Sequence, residues 1–281
     1  MGTPTHDRPF GHHALPPARE RIRAKADACA DTRLGRWTIS ARRKRAIRGL
    51  SEPFDVTVAP GVCARLHPSG NRCEKRALAG VQVWDASERA ALRDAVRSGE
   101  AGPFVFLDVG ANAGLYTLFV NAYAREAERP VRLIAVEPSA EMSARLSFNA
   151  DASKAKVELI RSAISDEPGE AFLSDGGGNR GEGQLGERGE RVAVETLHGL
   201  CDRLDVNRID ALKLDIEGHD ERALRAFFET TPETLHPRLL ILELSEQSRQ
   251  GLVELARAQN YLLSDDTALN AIFKKTEHVQ T

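Results

Sequence analysis

Four carboxylates stand at or near the ends of apolar runs, where a folded chain can offer them to a ligand. Asp108 closes FVFLD (104–108), Glu137 closes VRLIAVE (131–137), and Asp215 and Glu217 fall late in RIDALKLDIEG (208–218). Asp215 and Glu217 lie two apart, so they share a face while the strand stays extended. His219 is adjacent and titrates near neutrality when unperturbed. A carboxylate or a histidine can take a proton from an attacking hydroxyl. A carboxylate-bound divalent cation can polarise the same oxygen, although nothing else in the sequence supports a metal. The plainer alternatives are a solvated strand end for Glu137, a half-exposed helix-start residue for His219, and a structural role for the Asp215–Glu217 pair.

Between the first two acids the chain turns through Gly110, Asn112 and Gly114 and enters LYTLFVNAYARE, whose apolar residues recur at helical spacing. Glycines in such a turn let a ligand approach the backbone where no Cβ intervenes. The helix that follows aims its free N–H groups at that ligand. Dinucleotide sites favour G-x-G-x-x-G. Here the spacing is G-x-N-x-G, with an acid two residues ahead of the first glycine. Glu137, 23 residues after Gly114, stands where a ribose diol needs an acceptor pair. Nucleoside binding is therefore indicated, without a choice between cofactor classes.

These residues must be positioned by alternating elements. After a first strand at 104–108, strands are expected at 131–137, 156–164, 208–218 and 238–244. Helical patterns separate them, and YLLS and NAIFKK form two short closing strands. Near-continuous apolar strands alternating with helices predict an α/β fold with a doubly wound, mostly parallel sheet of seven strands and an antiparallel C-terminal edge. This core is expected over residues 101–278. Upstream, 51–100 predicts a small β-meander and a helix over 85–98. Residues 1–50 predict an arm: a Pro- and His-rich stretch without fixed structure to residue 18, then basic helices.

Charge separates the arm from the rest. Residues 1–50 carry 12 Lys/Arg against four Asp/Glu, and the remainder 27 against 37. Segment 19–50 could therefore touch an anionic surface or an acidic partner, or lie as a solvated helix on the domain. Trp37 is the only aromatic among these charges, so nucleic acid is not expected. Four scattered cysteines form neither a disulfide framework nor a zinc pattern. No apolar run approaches the length of a membrane span and the N-terminus lacks a signal-peptide core, so the expected location is cytoplasmic. The Gly-rich stretch 175–190 reads either as a lid over an acceptor or as a surface hairpin.

Taken in order, DVGANAGLYTLF, AVEP, SAISDEPG, VETLHGL, RIDALKLDIEG and LLILEL resemble the FkbM family of class I S-adenosylmethionine-dependent methyltransferases. The resemblance spans 104–244, reaches about 275 with the closing strands, and extends upstream to RLHPSGNRCEKRAL. It implies S-adenosylmethionine as cofactor and O-methylation of a hydroxyl on a sugar, glycan or polyketide-like small molecule. The loop of Gly110, Asn112 and Gly114 would hold the aminoacyl end of the cofactor. Asp108 would contact its amino group directly or through water, and Glu137 its ribose. Where such proteins usually place an acid near adenine, Ser162 and Ala163 stand instead, leaving backbone groups or Asp166 for that contact. His219–Asp220 departs from the usual residues after Gly218, so the base among Asp215, Glu217 and His219 stays open.

Other classes remain. An NAD-linked oxidoreductase would need a Tyr-x-x-x-Lys or its equivalent, which the sequence lacks. A non-catalytic scaffold that keeps the fold would leave the work to the basic arm. The absence of an Asp/Asn-Pro-Pro-aromatic motif argues against methylation of a base amine, and that of a Pro-Cys nucleophile against C5-methylation of pyrimidines.

Overall fold

Strand β3 (Phe104–Val109) is buried on both faces, as a mostly apolar run inside a parallel sheet must be, with Asp108 its one charged residue. The computed structural model describes residues 8–98, 102–174, 184–186, 189–216, 218–267 and 269–276.

Ahead of β3 come α1 (Pro17–Asp27), α2 (Arg33–Ile47), the hairpin β1 (Phe54–Ala59) and β2 (Val62–Leu66), α3 (Arg72–Leu78) and α4 (Ala86–Ser98). After it follow α5 (Leu115–Glu126), β4 (Val131–Val136), α6 (Ala140–Ala152), β5 (Val157–Ile160), β6 (Ala163–Ile164), β7 (Gly169–Ser174), β8 (Gln184–Gly186) and β9 (Glu190–Glu195). The chain closes with α7 (Leu197–Arg203), β10 (Ala211–Leu214), α8 (Asp220–Thr230), β11 (Leu239–Glu243), α9 (Arg249–Ala258), β12 (Tyr261–Asp266) and β13 (Asn270–Lys275).

The main sheet has seven strands in the order β12-β13-β11-β10-β3-β4-β5. The five from β11 to β5 are parallel, and β13 runs antiparallel between β11 and β12. This is the expected doubly wound sheet with its antiparallel edge. Because β10, β3 and β4 are neighbours, the acids after them emerge on one edge, at the carboxyl ends of the strands.

Strand periodicity decides which way each side chain faces. Phe104, Phe106 and Ala211 join the core beneath α4 and α5, whereas Leu107, Val109, Leu212 and Leu214 join the core beneath α7, α8 and α9. Asp108 and Lys213 are register partners and by parity face α5. Asp215, two on from Lys213, and Glu243, two on from Ile241, continue the same side.

Three features differ from the sequence reading. The run at 156–164 splits after β5: Ser162 carries the chain away, and β6 joins β9, β7 and β8 in a separate four-stranded sheet. Residues 53–84 are only half β, because Asn71 accepts from Glu74 N (3.1 Å) and caps α3. Residues 8–15 are held rather than free: Asp55 accepts from Gly11 N and His13 N, and Arg65 donates to the carbonyls of Arg8 and Pro9. The Gly-rich stretch falls largely outside the described residues. Among the described residues no helix is long and apolar enough to cross a membrane.

The upstream elements are built into the core across α6. Asn149 accepts from Arg65 N (2.7 Å) and donates to Ala113 O (3.1 Å). Arg145 of α6 meets Glu74 of α3 at 2.6 Å with both side chains nearly sealed from water. Burial nonetheless pushes the Glu74 carboxyl up to about 7, against the pull of Arg145. Removing one partner of such a pair strands the other and costs about 3–5 kcal/mol. Arg145→Met is therefore expected to lose at least ~2 kcal/mol in urea unfolding, and Arg145→Met/Glu74→Met to regain most of it. A loss below ~0.5 kcal/mol in the single variant would contradict the buried coupling.

Candidate active site

The loop after β3 has a backbone that side chains other than glycine could scarcely follow. Gly110 has φ +74°, and a Cβ there would stand 1.8 Å from the carbonyl oxygen of Asp215. Gly114 has φ +83°, and its Cβ would meet Leu146 Cγ at 2.7 Å. Asn112, at φ +53°, is the residue type that tolerates this region best after glycine. Its Oδ1 accepts from Ala113 N (2.7 Å) and Asn71 Nδ2 (2.6 Å), which ties the loop to α3. Its backbone N–H donates to Glu137 Oε2 at 2.8 Å, and Ser139 N donates to Oε1 at 2.9 Å. Burial pushes the Glu137 carboxyl up to about 7, and the two amides only partly offset it.

Asp108 lies beneath this loop rather than along it. It is fully buried, and its Oδ2 accepts from Thr117 N (3.1 Å) and Thr117 Oγ1 (2.6 Å), pinning the first turn of α5. Its Oδ1 has no partner among the described residues. The sequence leads to an expected contact with a ligand's amino group, directly or through water; in the fold, burial raises the Asp108 pKa against the pull of Lys213 and Thr117, and its side chain is spent in part on α5.

Lys213, which the sequence reading passed over, sits beside it. Its Nζ donates to Asp215 Oδ2 (2.8 Å) and Gly110 O (3.1 Å) and lies 5.5 Å from the Tyr116 ring centroid. Burial alone would strip its proton, but Asp215 and Asp108 outweigh that and raise its pKa, so the ammonium persists. Burial works to raise Asp215 as well, yet Lys213 and a hydrogen bond with Glu243 hold that carboxyl below its ordinary value. Glu243 ends β11 as Asp215 follows β10, so a fourth acid enters the site from the neighbouring strand. Its signal was the acid inside LLILEL; that of Lys213 was the single charge inside ALKL.

A small cavity of about 70 Å³ opens here, lined among others by Asn112, Lys213, Asp215 and Glu243 and by Cys73 and Trp84 from the upstream elements. Burial pushes the Cys73 thiol up to about 12, so it is no nucleophile at neutral pH. His219 does not line this cavity. Its Nδ1 stands 3.4 Å from Ser165 Oγ, beside the Asp166–Arg222 ion pair. Burial and then Arg222 lower its pKa, leaving a neutral ring at pH 7. Glu217 lies outside the described residues. Asp220 accepts from Ile216 N and Gly218 N, shaping the turn that follows Asp215. Ser162 and Ala163 are buried where β5 gives way to β6, and the Ser162 hydroxyl has no partner among the described residues. Asp166, the other candidate near adenine, is taken by Arg222. No group of three or more potential metal ligands occurs among the described residues.

Comparison with curated proteins gives no match. Among solved structures, the chain is similar to a SAM-dependent methyltransferase from Agrobacterium tumefaciens (12% identity, 82% of this chain and 72% of that one, TM-score 0.46). It is also similar to a precorrin-6y C5,15-methyltransferase from Geobacter metallireducens (12%, 68% and 88%, 0.42). A third is a ribosomal protein L11 methylase from Lactobacillus delbrueckii subsp. bulgaricus (12%, 67% and 80%, 0.39). A far more specific likeness is in the sequence itself, where residues 108–269 match the Methyltransferase FkbM domain. That match begins at Asp108, takes in the loop, Glu137, Lys213 and Asp215, and covers more than half of the chain, which belongs to the FkbM methyltransferase family.

Proposed function

We propose that the protein transfers a methyl group from S-adenosylmethionine to a hydroxyl of a sugar, glycan or polyketide-like small molecule. The observation that carries this reading is the gathering of the 110–114 loop, Glu137 and the Lys213–Asp215–Glu243 cluster on one edge of the sheet. Ligands of open α/β sheets bind at that edge.

The residues fit the cofactor. Glu137 keeps lone pairs beyond those used by Asn112 N and Ser139 N, so it can accept from both ribose hydroxyls. The left-handed backbone at Gly110, Asn112 and Gly114 shapes the loop that would receive the aminoacyl end, and the unpartnered Ser162 hydroxyl is available toward the base. Bound there, S-adenosylmethionine supplies an electrophilic methyl group on a positively charged sulfur.

The chain's own part is electrostatic and acid–base. Asp215 presents negative charge at the cavity, kept ionised by the Lys213 ammonium and by the hydrogen bond with the Glu243 carboxyl, in which the pair's shared proton stays on Glu243. Asp215 is the group placed to accept the proton of the incoming hydroxyl as its oxygen bonds to carbon, with Glu243 hydrogen-bonded behind it. A base depressed below the usual range takes the proton late, once the oxygen has begun to lose electron density. His219 stands elsewhere and is not needed. Since Lys213 already neutralises Asp215, no divalent cation is required either.

Glu137 makes cofactor binding depend on pH. Its folded value of about 7 exceeds the ordinary carboxylate value, so the protonated form is favoured in the fold and ionisation proceeds as pH rises through 7. The ionised form is the better acceptor of ribose hydroxyls. S-adenosylhomocysteine affinity, read by calorimetry, should rise severalfold between about pH 6 and 8. Glu137→Gln should flatten the profile and weaken binding about tenfold or more, because one amide hydrogen must face a backbone N–H. A flat wild-type profile with unchanged variant affinity contradicts the assignment. For the chemical step, Asp215→Asn should lower kcat by about 10²-fold or more with S-adenosylhomocysteine affinity within about threefold, and EDTA should change neither. Loss of activity in EDTA that Mg²⁺ restores would overturn the metal-free reading.

A further inference from the structure

A second, larger depression adjoins the small cavity. It measures about 530 Å³, lies between α2, α3, the start of α4 and residues Thr267 and Leu269, and shares Arg76, Trp84, Asp85 and Leu269 with the small cavity as walls. A space of this size suits a small organic ligand, whereas about 70 Å³ holds only the reacting end of one.

Three arginines and three acids line the larger depression, but they are not equivalent. Arg36 is bound to Asp31 at 2.5 Å. Glu88 is 2% exposed, and its Oε1 accepts from Asn270 Nδ2 (2.8 Å) and Thr267 Oγ1 (3.0 Å). Asp85 accepts from the Tyr116 hydroxyl at 2.9 Å, and burial raises its pKa. That leaves Arg43 and Arg76, neither of which has a carboxylate within ion-pair distance among the described residues. Arg43 is half-buried, and its Nη1 is steadied by Lys75 O at 3.2 Å. Burial and then the nearby charge of Arg76 lower its pKa, so the two guanidinium groups face a common space and repel. Asp85 acts on Arg76 only at longer range, and planar donors without a direct ion-pair partner are the arrangement that recognises phosphate or carboxylate.

We propose that this depression is the methyl-acceptor site, and that the acceptor carries a phosphate or carboxylate seated between Arg43 and Arg76 while its hydroxyl reaches Asp215 through the shared wall. The inference rests on the methyltransferase reading of the adjoining cavity and narrows its substrate to an anionic one. It also gives two residues of the basic arm and the extension a task at the site, without requiring them to touch the cofactor.

The test titrates the full chain by calorimetry with inorganic phosphate, glucose 1-phosphate, glucuronate and glucose, and separately with S-adenosylhomocysteine. Glucose 1-phosphate or glucuronate should bind at least tenfold more tightly than glucose, and whichever does so identifies the anion as phosphate or carboxylate. Arg43→Gln and Arg76→Gln should each weaken that binding about tenfold, and the double variant should abolish it. Circular dichroism and thermal unfolding should show that all variants fold, and Arg43→Gln, which lies outside the small cavity, should leave S-adenosylhomocysteine binding within twofold. Equal binding of charged and neutral sugars, or retention of anion binding in the double variant, would overturn the proposal. Arginine-dependent anion binding without any binding of S-adenosylhomocysteine would keep the anion site and sink the methyl-transfer reading instead.

Discussion

Lys213 is an ammonium group standing in a central strand of a seven-stranded sheet, 6% exposed. Taking such a charge out of water costs several kcal/mol unless it is paired and hydrogen-bonded, and everything around it serves that need. Asp108 is its register partner on β3, Asp215 its neighbour two residues on, and Gly110 supplies a carbonyl. The same contacts draw the loop after β3 and the turn after β10 into touch, which is why Gly110 has no room for a Cβ against Asp215. One buried cation thus organises two of the strand ends at which ligands of this fold class are bound.

From that cluster the site grows outward by hydrogen bonds. Glu137 receives the loop through Asn112 N, and Asn71 receives it through the Asn112 side chain. The second of these contacts comes from the upstream extension, whose α3 is fixed to α6 by Glu74 and Arg145. The extension is therefore a wall of the candidate site. Trp84 and Asp85 continue that wall into the larger depression, where the basic helix α2 contributes Arg36 and Arg43.

Much of this could be read from the sequence because it depends on local rules. Apolar runs ending in acids located β3, β4 and the end of β10, and G-x-N-x-G located a loop with three positive φ values. What escaped was set by parity and by distant partners. The place of Asp108 before the loop does not show that the alternation of β3 turns it under α5, where Thr117 takes one of its oxygens. Lys213 was hidden in an apolar strand, because nothing local says that a lysine there has two carboxylates waiting. His219 follows Asp215 closely in the chain, but the turn shaped by Asp220 sends it toward Ser165 instead. The strand at 156–164 was divided by pairing with β9, about thirty residues away, which no periodicity reports.

The most direct measurement is S-adenosylhomocysteine affinity in Lys213→Met, taken alongside thermal unfolding. If the buried ammonium holds the strand ends together, the variant leaves Asp108 and Asp215 without their common counter-ion. Affinity should then fall about tenfold or more, with part of the loss recovered in Lys213→Met/Asp108→Asn. A folded Lys213→Met chain that binds S-adenosylhomocysteine as tightly as the wild type would contradict the account.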